Sequence, residues 1–270
     1  NDVSSEPEKV YKDNVMDIDF DSLIENTSSD TIKDMHKYFK SVKPTKQNEY
    51  TGMFKGKNLI SLTLEGFCPE FISPELTPTL YKMMNEGFVF ENYYDSLWGG
   101  STATGEYANM TGNFYNSASC LKMSGSTYQP FAFGNQFKKI GYYHNNTYTY
   151  YSRDKSHPNF GYNYKSINNG LTGLKSCWPR SDLEMATCSI NVDDWISNTP
   201  FHVYYMTVSG HCNYSWNGNS MSSKHRDITA NMDHSENIKA YIACNYEVEL
   251  MLTELVNQLS ARGILDDTVF

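Results

Sequence analysis

Asn58 to Leu64 (NLISLTL) is the stretch that most restricts what this chain can fold into. Its apolar residues crowd into a strand's length instead of falling at helical spacing, which is the pattern of a strand buried on both faces in a parallel sheet. Phe201 to Val208 (FHVYYMTV) has the same character. Helical patterns alternate with these runs. From Ser29, the segment SDTIKDMHKYFKSV sets Ile32, Met35, Tyr38, Phe39 and Val42 on one helical face, with Ser29 or Asp30 as the cap and Pro44 as the stop. Thr77-Pro78 opens a second helix and Gly87 closes it. Phe88 to Tyr94 then reads as a strand, leading through Gly99-Gly100 to a helix that begins near Thr102. Gln129 to Lys139 is a further short helix, Gly141 to His144 a short strand, and Asn237 to Ala261 the longest helix, stopped by Gly263. Asp267 to Phe270 has the look of another strand beginning. The alternation predicts an α/β fold with a doubly wound, mostly parallel sheet and helices on both faces.

A chain of 270 residues with 39% hydrophobic content suits one α/β core preceded by an entry segment. The expected division is 1–50, a lead-in and helix, and 51–270, the main domain; residues 1 to about 17 are polar and acidic without periodicity, as a flexible lead-in is. A net charge of −9 with scattered lysines and arginines argues against a nucleic-acid partner. An anionic substrate therefore needs a local basic pocket. No stretch reaches the roughly 20 apolar residues of a membrane span, and no signal-peptide pattern is present. The six cysteines show neither CxxC nor zinc-type spacing; either they are free thiols or some pair, Cys177 with Cys188 being the nearest candidates.

In doubly wound sheets, ligands bind at the carboxyl ends of the strands. Glu65 follows the first apolar run, His211 follows the Phe201 run, and Thr102 opens a helix beyond a glycine pair. Alone, Glu65 is equally a buried or capping carboxylate, but a carboxylate there is also a ligand for Mg²⁺, Mn²⁺ or Zn²⁺. Thr102 is equally a simple N-cap; as a nucleophile it would gain from both a metal ion and the helix N-terminus. Ser101 and Thr104 compete for that role. His144 to Arg153 (HNNTYTYYSR) supplies an imidazole, amides, tyrosines and a guanidinium after a short strand, and Arg153 is a bidentate phosphate ligand if that loop closes over the site. His211 could bind a phosphoryl group or act as acid or base. His36, His157, His202, His225 and His234 have structural or solvent-facing contexts.

Taken in order, these segments resemble the extracellular catalytic domain of lipoteichoic acid synthases, phosphoglycerol transferases of the sulfatase and alkaline phosphatase superfamily. The likeness runs over most of Lys57 to Phe270. It rests on Leu64-Glu65-Gly66-Phe67, the Thr77-Pro78-Thr79-Leu80 helix start and Thr102-Ala103-Thr104-Gly105-Glu106-Tyr107, set against the family's Thr-Ser-x-x-Glu-Phe. The His144 to Arg153 loop, Thr207 to His211, and the Tyr241 to Gly263 helix with Ile264 to Thr268 complete it. The resemblance implies Thr102 as the nucleophile, forming a phosphothreonine, and as a metal ligand beside Glu65. It places His144, Asn146, Tyr151, Arg153 and His211 around a glycerol-phosphate pocket. It also implies a divalent metal, with Mn²⁺ first and Mg²⁺ or Zn²⁺ as alternatives. The donor would be phosphatidylglycerol or a related phospholipid head group and the acceptor a glycerophosphate polymer. The location would be the outer face of a bacterial membrane, contacted through a membrane-anchored parent protein.

Two departures matter: Asn146 stands where an acid is common, and Tyr150-Tyr151 where Phe-Trp is typical, so the head group stays open. The family's remaining metal ligands, an Asp-His pair, would fall beyond Phe270, so part of the metal site is expected outside these residues. Phosphoethanolamine transfer, another hydrolase chemistry of the superfamily, and a non-catalytic glycerophosphate-binding module are the alternatives. Sulfatase chemistry of the common type needs a C/S-x-P-x-R sequence, which does not surround Thr102.

Overall fold

The computed structural model describes residues 9–94, 101–115, 117 and 119–270. Two compact units divide the chain, Asn1–Lys55 and Gly56–Phe270. The first holds α1 (Phe20–Asn26) and α2 (Asp30–Ser41). Asp19 caps α1 by accepting from Ser22 N at 3.0 Å, and Ser29 caps α2 by accepting from Ile32 N. The expected α2 is therefore present, whereas α1 was not anticipated. The segment before α1 is tied down by Asn14 N to Thr45 O at 2.7 Å and Gln47 N to Lys12 O at 2.8 Å.

The second unit carries a six-stranded sheet in the order β4-β3-β2-β5-β1-β6, parallel at every pairing. Its elements run β1 (Asn58–Thr63), α3 (Pro78–Glu86), α4 (Thr102–Thr111), α5 (Cys120–Ser124), β2 (Ile140–Thr147), α6 (Arg153–Asn159), β3 (Asn163–Ile167) and β4 (Gly170–Leu171). They continue α7 (Asp182–Asp193), β5 (His202–Met206), α8 (Ser220–Lys224), α9 (Glu236–Ala261) and β6 (Thr268–Val269). The chain steps outward from β1 to β4, then returns to insert β5 between β2 and β1, so the strand order reverses beside β1 and β5. That reversal opens a crevice at the carboxyl ends.

Residue alternation explains why both faces are covered. On β5, Val203 and Tyr205 join one core with Met185, Ile190, Met251 and Leu255 of α7 and α9. Tyr204 and Met206 point the other way, into a core with Met110, Leu121 and Phe160. Neighbouring Tyr143 and Tyr142 of β2 divide between the same two cores. Burying each such side chain contributes about 1.5–3 kcal/mol, which is what a two-faced sheet collects from a strand with no polar face. The doubly wound α/β expectation thus describes the observed fold.

Two expected elements are absent. Phe88 to Tyr94 forms no strand; Phe88, Val89 and Phe90 are exposed and no neighbouring strand offers them a ladder. Gln129 to Lys139 makes only a short 3₁₀ turn at Phe133–Gln136. There the Asn135 amide donates to Gln129 O at 2.7 Å, taking up a carbonyl that a helix would have used, and to Asn159 O of α6 at 3.0 Å. The Gly99-Gly100 loop lies outside the described residues. All six cysteines are free thiols, so Cys177 and Cys188 do not pair. The helix expected after Thr77 is α3, but Thr77 does not cap it through its side chain. Glu249 of α9 does that work across the fold, accepting from Thr79 N at 2.9 Å and Leu80 N at 3.1 Å.

Candidate active site

Glu65 leaves the end of β1, and Thr207 anchors it there. The Thr207 hydroxyl accepts from Glu65 N at 2.8 Å and donates to Thr63 O at 3.1 Å. Beyond it the chain turns at Gly66, with φ of +64°. A Cβ on Gly66 would lie 2.4 Å from Gly210 O, and one on Gly210 would lie 2.3 Å from Glu65 O. Only glycine at both positions lets the loops bearing Glu65 and His211 touch backbone to backbone.

Thr102 is the first residue of α4. Its hydroxyl donates to Glu65 Oε2 at 3.1 Å. Thr104, the rival hydroxyl, is fully buried and spent on the helix start: it accepts from Ser101 N at 2.8 Å and donates to Ser101 O at 2.7 Å. Of the two threonines, Thr102 alone lines the cleft.

The opposite wall comes from β2 and α6. His144 is buried, and its Nδ1 lies 2.9 Å from Met206 O. A carbonyl only accepts, so Nδ1 carries the proton and Nε2 is the acceptor nitrogen. Burial, reinforced by the nearby Arg153 charge, pushes this imidazole down to about 3, so it is neutral at physiological pH. The β2 to β3 register shifts between His144 and Thr147, and this break turns Asn146 out of the ladder towards the cleft. Tyr151 and Ser152 both take left-handed backbone, with φ of 57° and 59°. That turn lays the Tyr151 ring over the Arg153 guanidinium, 5.1 Å from Cζ to centroid.

Arg153 gives one of its two forks, the Nε and Nη2 edge, to Glu106. Its Nε lies 2.9 Å and 3.1 Å from the two Glu106 oxygens and its Nη2 lies 2.7 Å from Oε2. Glu106 and Arg153 are both essentially inaccessible, at 0% and 1% exposure. Burial alone would raise the Glu106 carboxyl, but Arg153 and His157 beside it hold it well below the usual carboxylate range. Tyr142 also donates to Glu106, and His157 Nε2 stands 3.6 Å away. What remains of Arg153 is its outer end, the second Nη2 hydrogen and Nη1, the latter with a long 3.5 Å contact to Tyr150 O.

A cleft of about 320 Å³, counted out to solvent, is lined by Glu65, Thr102, His144, Asn146, Tyr151, Arg153 and His211 together with Tyr150, Thr207 and Val208. Each residue that the resemblance assigns to the site lines it, and the rival hydroxyls Ser101 and Thr104 do not. Three carboxylates that support the walls were not singled out. Glu106 is the first. Asp182 accepts from Val208 N at 2.9 Å and Ser209 N at 3.0 Å and so fixes the loop before His211; burial raises its carboxyl to about 7. Glu247 accepts from Ser181 Oγ at 2.5 Å, Lys224 Nζ at 2.5 Å and His225 Nε2 at 2.6 Å. Burial works against that carboxylate's charge, yet these partners bring it down to about 2. Each lies inside a helix or at its start, and the only signal in the sequence was a carboxylate among apolar helical neighbours.

For a divalent cation, Glu65 and Thr102 provide two oxygen donors 3.1 Å apart, a spacing that suits two ligands of one hard ion. Glu65 takes part in none of the ion pairs among the described residues, so no lysine or arginine competes for it there. No third His, Cys, Asp or Glu joins them among the described residues. The residues present thus fit part of a cation's ligand shell.

Residues 70–270 match the family model described as Sulfatase, about three quarters of the chain. The chain belongs to the sulfatase family. Glu65 lies just ahead of the matched span. Relatives include a lipoteichoic acid synthase of Staphylococcus saprophyticus, 26% identical over 90% of this chain and 39% of the relative. A lipoteichoic acid synthase of Staphylococcus aureus is 24% identical over the same shares. The chain therefore spans about two fifths of the length of these curated relatives. Among solved structures, the lipoteichoic acid synthase LtaP from Listeria monocytogenes superposes with a TM-score of 0.69 at 21% identity, covering 86% of this chain and 59% of that one. The Streptococcus pyogenes phosphoglycerol transferase GacH, in complex with sn-glycerol-1-phosphate, gives 0.53 at 14% identity, covering 90% and 62%. These likenesses establish the alkaline phosphatase/sulfatase-like fold that the sheet order already displays. Among the described residues no helix is long and apolar enough to cross a membrane.

Proposed function

We propose that this chain carries the nucleophile-bearing part of a metal-dependent phosphoglycerol transferase, which moves phosphoglycerol from phosphatidylglycerol to a glycerophosphate-type polymer. The observation that carries the reading is Thr102 Oγ1, at a helix N-terminus and 3.1 Å from Glu65 Oε2, facing a cleft that also holds His144, Arg153 and His211. A divalent cation held by Glu65 and Thr102, Mn²⁺ being the first candidate, would favour the alkoxide and neutralise charge on the phosphate.

The chain's own groups account for the rest of the chemistry. Thr102 Oγ1 attacks phosphorus, its proton passing towards Glu65 Oε2; the bond to the diacylglycerol oxygen breaks, that oxygen takes a proton from solvent and leaves as the alcohol, and phosphoglycerol stays on Thr102. The terminal hydroxyl of the acceptor then attacks the same phosphorus, giving its proton back to solvent, and displaces Thr102, which regains its own proton. Amide N–H groups at the start of α4 favour the phosphoryl oxygens. Arg153 Nη1 donates to one of them, and neutral His144 accepts a glycerol hydroxyl at Nε2. His211, half-buried across the cleft, is placed to contact the departing or entering oxygen.

Among the described residues lining the cleft, Glu65 is the one carboxylate, so the ammonium of a phosphoethanolamine head group would have no acid left to meet it. This favours glycerol. The working location is the outer face of a bacterial membrane, where the lipid donor is present. Turnover of labelled phosphatidylglycerol beside phosphatidylethanolamine by the natural protein, with Mn²⁺, tests the reading. Release of diacylglycerol from the first only is expected; preference for the second would sink it.

A further inference from the structure

We propose that Glu106 is a positioning residue that locks the Arg153 guanidinium by its Nε and Nη2 edge, so that only its outer end, led by Nη1, meets the phosphate, in a register to Thr102 set by α4. The proposal rests on the cleft being a phosphoglycerol-transfer site.

A buried ion pair is a poor way to stabilise a helix that already packs on apolar neighbours. Glu106 lies between Ala103 and Met110, both in the core, and well-packed apolar residues in place of both Glu106 and Arg153 would serve stability as well or better. What the pair supplies is orientation. Glu106 engages one whole edge of the guanidinium. Tyr142 donates to Glu106 from behind, and His157 packs beside it with Nε2 3.6 Å away. Tyr151 covers the guanidinium face from a backbone turn made of two left-handed residues. With one edge and one face occupied, the group can neither rotate nor swing, and a phosphate can reach it only at the outer end formed by Nη1 and the second Nη2 hydrogen.

Glu106 also follows Thr102 by one turn of the same helix, so its carboxylate sits one turn below the nucleophile on a rigid element. The separation between the attacking oxygen and the Nη1 corner is thereby set by helical geometry. Arg153 itself belongs to a different element, after a strained loop, and could not hold that register unaided. In-line displacement is sensitive to such placement: a misplacement of about 1 Å can cost about a hundredfold in rate.

Glu106→Asp is the decisive variant, because it keeps the charge and withdraws it by one methylene. In the natural protein acting on phosphatidylglycerol, kcat should fall about 10- to 100-fold while KM changes less than about threefold. Arg153→Lys replaces the fork with a point charge, so in that background Glu106→Asp should add less than about threefold. A purely structural Glu106 would cost the same in both backgrounds, and that result, or unchanged kcat in Glu106→Asp, overturns the proposal. Unaltered melting temperatures show that the variants are folded. Should they not fold, the unsubstituted chain with ¹⁵N-labelled arginine decides. Adding sn-glycerol-1-phosphate should then shift the Arg153 Nη1 resonance and leave Nε in place; movement of Nε, or no Nη1 response, overturns the clamp. Inactivity of the unsubstituted natural protein would overturn the transferase reading and the proposal together, whereas an active protein indifferent to Glu106→Asp removes the proposal alone.

Discussion

The two walls of the cleft are built on opposite principles. On the β2 and α6 side, Arg153, Tyr142 and His157 gather around Glu106, which α4 sends across, and the Arg153 and Glu106 charges meet inside the protein. On the β1 and α4 side, Glu65 and Thr102 share one hydrogen bond of 3.1 Å and are only half-buried. The first wall is finished by folding. The second keeps an acidic oxygen pair accessible, which is what a site must do if it is to receive a cation and a reacting phosphate. Stability should therefore concentrate in one wall and chemistry in the other.

The sharpest way to break that contrast is Thr102→Ala. Turnover by the natural protein should fall at least about a thousandfold. The melting temperature should hardly move, since the half-exposed hydroxyl gives up a single bond. An active Thr102→Ala protein would move the chemistry elsewhere. Glu106→Ala should do the reverse in kind, destabilising the chain by about 3–5 kcal/mol because Arg153 is left buried and unpaired. Urea midpoints for Glu106→Ala and Glu65→Ala measure the difference directly, and equal losses would erase the distinction between the walls.

Acid should expose the finished wall next. His144 is neutral when folded down to about 3, whereas an unfolded histidine charges near 6.5. The unfolded chain thus binds the extra proton between those values, and stability is lost as the pH falls from about 6.5 towards 3, by on the order of 4 kcal/mol. His144→Gln should flatten that slope. The carboxylates Glu106 and Glu247 act lower, since their depressed folded values are felt only as pH falls below about 4.5.

The smallest expected effect belongs to the open wall. Mn²⁺ at about 100 times its dissociation constant should stabilise the chain by up to about 2.7 kcal/mol in thermal melts. Glu65→Gln should abolish that shift and Glu106→Asp should keep it. A shift that survives Glu65→Gln would place the cation elsewhere.

That Glu65, His144 and His211 meet at one cleft was legible because strand ends are visible in sequence and the α/β rule sends such ends to one place, whereas Thr102 was legible only as a helix start. Arg153 was legible as a residue, but the edge it gives to Glu106 was not. Its partner Glu106 stands 47 residues earlier on another element, and nothing local shows that the two meet. Phe88 to Tyr94 failed for the complementary reason: strand-like composition does not make a strand without a neighbour to pair with.

By itself the sequence determined the alternation of buried strands and helices, and hence which residues arrive at the crevice, because local periodicity encodes which faces are apolar. Only the tertiary structure decided what those residues have left to offer on arrival. It committed Thr104 to a helix start, made His144 a neutral acceptor through Met206 O, and used up all but the outer end of Arg153. The physical reason is that hydrogen bonds between distant segments, made where water is excluded, fix the proton positions and free edges on which the chemistry depends.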